Sequence, residues 1–253
     1  MGRTLLLELG HDYCGYAWLQ KEDRSLHGIG IVSFEELEAE AELASLFETL
    51  KAGQPGSVAV CSAYAQSMLV PIKLFNEDSS LLEAVFDMPL GLKLNDRVGE
   101  WQVITEYALP AGIDRLVRSS FPGASYFHAH TCSLRNFNGF SSSDQIEIHF
   151  TTQHFRVLVK KGNALQLAQI YSYKTPLDVV YYLLKLAYEF GLEQSSVLLV
   201  VSGLIEKESA LYRELHHYFL NIEFAQAPDF GLPVNDYPAY FFTSIYNLAS
   251  CVS

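Results

Sequence analysis

His128, His130 and Cys132 are the first residues whose types could do chemistry together. They alternate along a strand expected over Tyr126–Ser133, which puts all three on one face. Successive same-face residues on a strand lie about 6.5–7 Å apart, so a tetrahedral zinc ion could take two of them but hardly three. The sequence nominates no further ligand, and half-buried, hydrogen-bonded histidines are the better reading. His216 and His217 are neighbours on an expected helix and diverge by about 100°, which argues against chelation by the pair. Gly28-x-Gly30 lacks the third glycine and following helix of a dinucleotide loop. Lying inside a strand, it reads as a bulge or a close backbone crossing. There is no P-loop and no Gly-x-Ser-x-Gly elbow, and Ser, His and Asp are too dispersed to nominate a triad. Cys14, Cys61, Cys132 and Cys251 are scattered with no CxxC pair, so neither a zinc knuckle nor a disulfide framework is expected. These groups nominate no metal site and no catalytic residue.

Composition narrows the classes of partner. The chain has 253 residues, 49% of them hydrophobic, with 17 basic against 29 acidic side chains and a formal net charge of −12. That apolar fraction supports a packed core. The excess of acid argues against nucleic acid, whose phosphates need clustered Lys and Arg, and against anionic membrane surfaces. A nucleotide is not excluded, since a few backbone amides and a metal ion suffice to hold one. Met1-Gly2 begins like a myristoylation signal, but Leu6 stands where Ser or Thr is wanted. No run approaches 18 uninterrupted apolar residues, so no membrane insertion is expected. A cytoplasmic location with reduced thiols is the expectation. Aromatic residues make up 13% of the chain. Tyr171, Tyr173, Tyr181, Tyr182 and Tyr188 gather in one region, and Tyr237, Tyr240, Phe241, Phe242 and Tyr246 in another. Large rings lining a core are the first reading, and a dimer or partner surface is the second.

The elements that must position any site repeat. Residues 4–9, 13–20 and 26–33 read as short strands. Ser33 followed by Glu36 reads as a capping box opening a helix along Leu37, Leu43, Leu46, Phe47 and Leu50. A buried strand starts at Ser57. In the second half residues 145–151, 154–160 and 164–171 are strands, the last two joined by a tight turn at 160–163. A helix from Pro176 to Phe190, a buried strand at 196–203, a helix from Glu206 to Phe219 and a strand at 222–225 follow. The halves align without a gap at an offset of 139 residues: Glu8 on Glu147, Leu19 on Leu158, Leu26 on Leu165, Ile31 on Ile170, Ser33 on Ser172 and Ser57 on Ser196. The expected organisation is a first half at 1–140, enlarged by an insertion at about 64–125, and a second half at 141–253. That insertion holds a strand over Trp101–Ala108 and a helix over Ala111–Phe121, and Gly139–Ser143 is the best linker.

This plan resembles the actin-like ATPase fold, an α/β architecture of mixed sheets in two ribonuclease-H-like halves. Over nearly the whole chain the sequence is similar to a bacterial family of unknown function, number 3822 in the series of such domains. The resemblance rests on Leu7-Glu8-Leu9-Gly10, Leu69-Val70-Pro71 with Phe75, and Phe121-Pro122-Gly123-Ala124. In the second half it rests on Asp178 to Tyr182, Ser202 to Glu206, Ser209 to Tyr212, and Tyr240 to Thr243.

The resemblance implies where a nucleotide would sit. Active members offer the first hairpin turn of each half to the phosphates as Asp-x-Gly, glycine exposing backbone N–H groups and aspartate organising Mg²⁺. Here the first strand ends Glu8-Leu9-Gly10 and His11, Asp12 and Tyr13 fill the turn. The second has Glu147-Ile148-His149, histidine where glycine belongs, with Thr151 and Thr152 still offering hydroxyls. The adenosine-side glycine pair is reduced to Ser202-Gly203. Around these loops only Glu8, Asp12 and Glu147 carry charge, so no cation is on hand for a triphosphate. The expectation is a vestigial nucleotide cleft with no catalytic residue and no ATP or Mg²⁺ cofactor, in a binding or assembly module whose protein partner is unknown. An active Mg²⁺-dependent ATPase or small-molecule kinase using Glu8, Asp12 and Glu147 is the alternative. A homodimer through an aromatic surface is another.

Overall fold

The computed structural model describes residues 2–76, 81–86, 91–137, 143–226 and 237–252. Apart from Ser143, the Gly139–Ser143 run lies outside them, as does part of the insertion. The described residues fall into two compact units, one within 1–136 and 244–253, the other within 137–227 and 236–243.

The first unit opens with β1 (Arg3–Leu9), β2 (Tyr13–Gln20) and β3 (Leu26–Ser33), followed by α1 (Ala39–Lys51) and β4 (Ser57–Ser62). Then come β5 (Ser67–Pro71), a one-turn α2 (Leu82–Val85), β6 (Leu92–Val98), β7 (Val103–Leu109), α3 (Ala111–Ser120), β8 (Ser125–His128) and α4 (Ala129–Asn136). Its main sheet has the order β3-β2-β1-β4-β8, and β5, β7 and β6 form a separate three-stranded sheet. The second unit has β9 (Gln145–Phe150), β10 (His154–Lys161), β11 (Ala164–Ser172), α5 (Pro176–Phe190), β12 (Leu198–Gly203), α6 (Ala210–Tyr218) and β13 (Asn221–Phe224). Its sheet order, β11-β10-β9-β12-β13, is that of the first unit. A last helix, α7 (Thr243–Val252), was not anticipated from the sequence.

Alternation explains both cores. Leu5, Leu7 and Leu9 of β1 pack with Val58 and Val60 against Leu43 and Phe47 of α1 and Ile113 and Val117 of α3. Ile146, Ile148 and Phe150 of β9 do the same against Val179, Leu183 and Ala187 of α5 and Leu215 of α6. The opposite face carries Thr4, Leu6 and Glu8 in one unit and Gln145, Glu147 and His149 in the other. α5 starts as its sequence demands: the Thr175 hydroxyl accepts from the Asp178 N–H, the Asp178 carboxylate accepts from the Thr175 N–H, and Pro176 sits in the first turn. Gly191 ends it at φ +59, a left-handed value that glycine adopts freely.

The gap-free offset needs correction. Leu9 pairs with Cys14 across the first hairpin and Phe150 with Phe155 across the second, so these strands correspond at an offset of 141. Ser33 pairs with Tyr13 and Ser172 with His154, which returns 139 for β3 and β11. The β2–β3 loop is two residues longer than its counterpart, and the α5 segment restores the difference. A slip of two preserves which face every strand residue points to, so the wrong register kept the hydrophobic pattern intact. Glu8 therefore corresponds to His149, Gly10 to Thr151, and Glu147 to Leu6.

Three further expectations fail for tertiary reasons. Ser33 stays in β3, and α1 follows an N-cap at Glu38 that makes no side-chain cap, while the Glu36 carboxylate is held by His11 at 3.0 Å. Leu37 lies outside α1 and is fully exposed. The strand over Tyr126–Ser133 is instead β8 running into α4. There the Asp96 carboxylate, from distant β6, accepts from the His128 N–H at 2.7 Å. His128 then caps α4 with its own side chain, its Nδ1 accepting from the His130 N–H at 3.1 Å. The Gly28-x-Gly30 pair coincides with a register shift between Tyr16 and Trp18, as a bulge would give.

Candidate functional site

The first unit's candidate residues converge at the β1–β2 turn. Glu8 lies on the sheet face away from α1 and is 3% exposed. Its Oε1 accepts from the Tyr13 hydroxyl at 3.0 Å and from the Ser244 hydroxyl of α7 at 2.5 Å. Across the ladder it faces Gly15, where the missing side chain admits Ile245 of α7. The buried Cys14 thiol is pushed far up by burial and by Glu8. Gly10 closes the turn by donating to the Tyr13 carbonyl at 3.0 Å. The Tyr13 ring packs onto Gly10, directly where a Cβ would project. His11 faces away from this pair. Its Nε2 accepts from the Ala65 N–H at 3.4 Å, which assigns the proton to Nδ1, and Nδ1 donates to Glu36. Asp12 is buried and its carbonyl accepts from the Phe34 N–H at 2.9 Å. Beside the turn lies a cavity of ≈ 240 Å³ lined by His11, Glu36, Glu40, Tyr64 and Gln66, among others.

In the second unit the register sets Arg156, His149 and Ser202 side by side on β10, β9 and β12. His149 Nδ1 lies 3.0 Å from the Ser202 Oγ, and that hydroxyl donates to the Ile148 carbonyl at 3.3 Å. His149 therefore donates from Nδ1. Burial first, and then the neighbouring Arg156 guanidinium, hold its imidazole well below the usual histidine range. Glu147, two residues back on the same face, is pushed up to about 7 by burial, with Arg156 pulling the other way. Arg156 is a buried cation the sequence reading overlooked, so the second loop does have a positive charge beside it. The Thr151 hydroxyl donates back to the His154 carbonyl at 3.0 Å, and Thr152 is exposed at the turn. Gly203 has φ +77, and a Cβ there would run into the Phe150 backbone. Its glycine is thus required by the strand crossing whatever else the loop does.

The histidine and cysteine cluster resolves differently from its expected geometry. His128 is fully buried; its Nε2 donates to the Tyr64 carbonyl at 3.1 Å and its Nδ1 accepts from the His130 N–H at 3.1 Å. Both ring nitrogens are used within the core. Among the described residues no three His, Cys, Asp or Glu are arranged to hold a metal ion. Sequence reasoning placed Tyr13 in the turn without giving it a role, and it missed Ser244 along with Arg156; Ser244 lies 236 positions from Glu8 and carries no signal.

Comparisons with known proteins agree on the architecture. The chain belongs to the family described as Protein of unknown function (DUF3822), whose model matches residues 2–222. No curated protein matches it. A Bacteroides thetaiotaomicron protein of unknown function with an actin-like ATPase fold superposes with a TM-score of 0.83 at 15% identity, covering 99% of this chain and 96% of that one. PilM in the PilM–PilN type IV pilus biogenesis complex superposes at 0.67 and 11% identity, covering 98% of both. The ethanolamine utilization protein EutJ from Carboxydothermus hydrogenoformans gives 0.51 at 7% identity, over 98% and 89%. The fold is the actin-like ATPase fold. No helix among the described residues is long and apolar enough to cross a membrane.

Proposed function

We propose that this chain is a non-catalytic protein of the actin-like fold that works as a binding or assembly module, its nucleotide-facing turns given over to its own side chains. The Tyr13 ring seated on Gly10 carries this reading. A phosphate needs that backbone bare, and Glu8, the acid near the end of β1, is already held by the Tyr13 and Ser244 hydroxyls. At the matching position of the second unit a Cβ stands on Thr151, with its hydroxyl bonded within its own turn. These residues do not suit ATP with Mg²⁺, and we assign the chain no step through either. PilM, a protein of this fold in complex with PilN, supports the module reading by analogy alone.

Self-association is a second reading, favoured by one surface. Phe241, Phe242 and Tyr246 of the C-terminal aromatic group are buried, but α5 exposes Leu177, Tyr181 and Tyr188 at 59%, 61% and 88%. Their spacing puts them on one helix face. Thermal melting with and without Mg·ATP tests the first reading, with no change in midpoint expected. A ligand at about 100 times its Kd would add roughly 2.7 kcal/mol, a rise of roughly 5–10 °C, and such a rise would overturn the proposal.

A further inference from the structure

Cysteines scattered in the sequence meet in the first unit. α4 and α7 are bridged by Asn136, whose Nδ2 donates to the Cys132 carbonyl at 2.8 Å and to the Asn247 carbonyl at 3.1 Å. The same nitrogen lies 4.0 Å from the Cys251 Sγ. Cys132 and Asn136 are one turn apart on α4, and Asn247 and Cys251 are one turn apart on α7, so the two thiols share the contact face. The Cys132 thiol faces those of Cys251 and of Cys61 on β4, and the Arg135 guanidinium bears on Cys251. All four cysteines are thiols.

We propose that Cys132 and Cys251 are a redox pair, closed to a disulfide by a peroxide and reopened by a small thiol, that latches α7 to α4. The two sulfurs have unequal roles. Cys251 is half-buried, and its contacts with Cys132 and the Arg135 guanidinium hold its thiol below the usual range against the effect of burial. Cys132 is fully buried and is held well above that range by its contacts with Cys251 and Cys61. Cys251 is therefore the attacking sulfur. Its thiolate takes one oxygen from the peroxide, breaking the O–O bond and releasing hydroxide, to give a sulfenic acid. Cys132 then attacks the Cys251 sulfur, loses its proton and expels the hydroxyl group as water. The two thiols give up two electrons and two protons, and the peroxide ends as two waters. The latch falls on the helix whose Ser244 holds Glu8, so it would fix the side chain that closes the first turn.

The whole chain, treated with hydrogen peroxide, quenched with iodoacetamide and mapped as peptides without reduction, tests this. The expected product is one intramolecular link between the peptides carrying Cys132 and Cys251, reversed by dithiothreitol, with Cys14 and Cys61 alkylated only after unfolding. Cys251→Ser should abolish the link and leave Cys132 reduced. Arg135→Gln should slow iodoacetamide labelling of Cys251 at neutral pH by roughly 3–10-fold in the otherwise intact protein. A Cys61–Cys132 link, a link between two chains through Cys251, or Cys251 oxidised to the sulfinic acid with Cys132 untouched would each overturn the proposal.

Discussion

The strands entering the two first turns occupy the same place in matched sheets, yet their side chains do opposite things. Glu8 faces Gly15, and the missing side chain lets α7 close over the carboxylate with a hydroxyl. His149, at the corresponding position, faces Arg156 and is held neutral between that guanidinium and Ser202. One site closes two hydroxyl donors onto a buried carboxyl oxygen. The other keeps an imidazole uncharged beside a cation. The shared backbone plan thus constrains the place of the polar pair and leaves its charge open.

The largest expected difference separates the two glycines. Gly203→Ala must adopt φ +77 and push into the Phe150 backbone, a loss of roughly 3–5 kcal/mol from left-handed strain and overpacking combined. Gly10→Ala meets only the Tyr13 ring, which can swing, and should cost about 1–3 kcal/mol. Urea midpoints at constant slope measure both. Equal losses would break the distinction between a backbone crossing and a ring seat.

Next is Glu8→Ala, which removes the shared acceptor of the Tyr13 and Ser244 hydroxyls and should cost about 2–4 kcal/mol. A cost below that of an ordinary surface change would mean that α7 does not close over this site.

Glu147 sharpens the comparison through pH. Its carboxyl titrates at about 7 in the fold against the ordinary 4.5. Below 4.5 both states hold the proton and nothing is lost. As pH rises from 4.5 to about 7 the unfolded chain releases it first, so stability falls, and the loss is complete above 7. Glu147→Gln should therefore be about 1–3 kcal/mol more stable than the parent at pH 8 and equal to it at pH 4. His149 works in the opposite sense. Its lowered pKa costs stability as pH falls below 6.5, so between 4.5 and 6.5 the two slopes oppose each other and the parent should look nearly flat. Leu6, the first unit's counterpart of Glu147, contributes no such dependence.

The smallest effect is at the surface. Tyr181→Ser with Tyr188→Ser should leave stability within about 0.5 kcal/mol, while sedimentation velocity reports whether this helix face sustains a dimer.

The sequence disclosed what is local. The Arg3–Leu9 strand, the Pro176–Phe190 helix and the repeated strand plan follow from alternation and helical period. What stayed hidden depends on partners far along the chain. Asp96 holds the His128 N–H from another sheet, His11 removes Glu36 from its capping role, and Ser244 reaches Glu8 from the last helix. The two-residue register slip was invisible for a different reason, since a strand looks the same to its core after moving by its own period. That slip misassigned the candidate site more than the fold, because it matched Gly10 to His149 in place of Thr151.

Isothermal titration of Mg·ATP into the whole chain tests the central claim most directly. The closed turn at Gly10 calls for no saturable heat up to about 1 mM nucleotide, a binding free energy weaker than roughly −4 kcal/mol. A saturable micromolar isotherm that weakens when Gly10 is changed to alanine in a folded variant would contradict it.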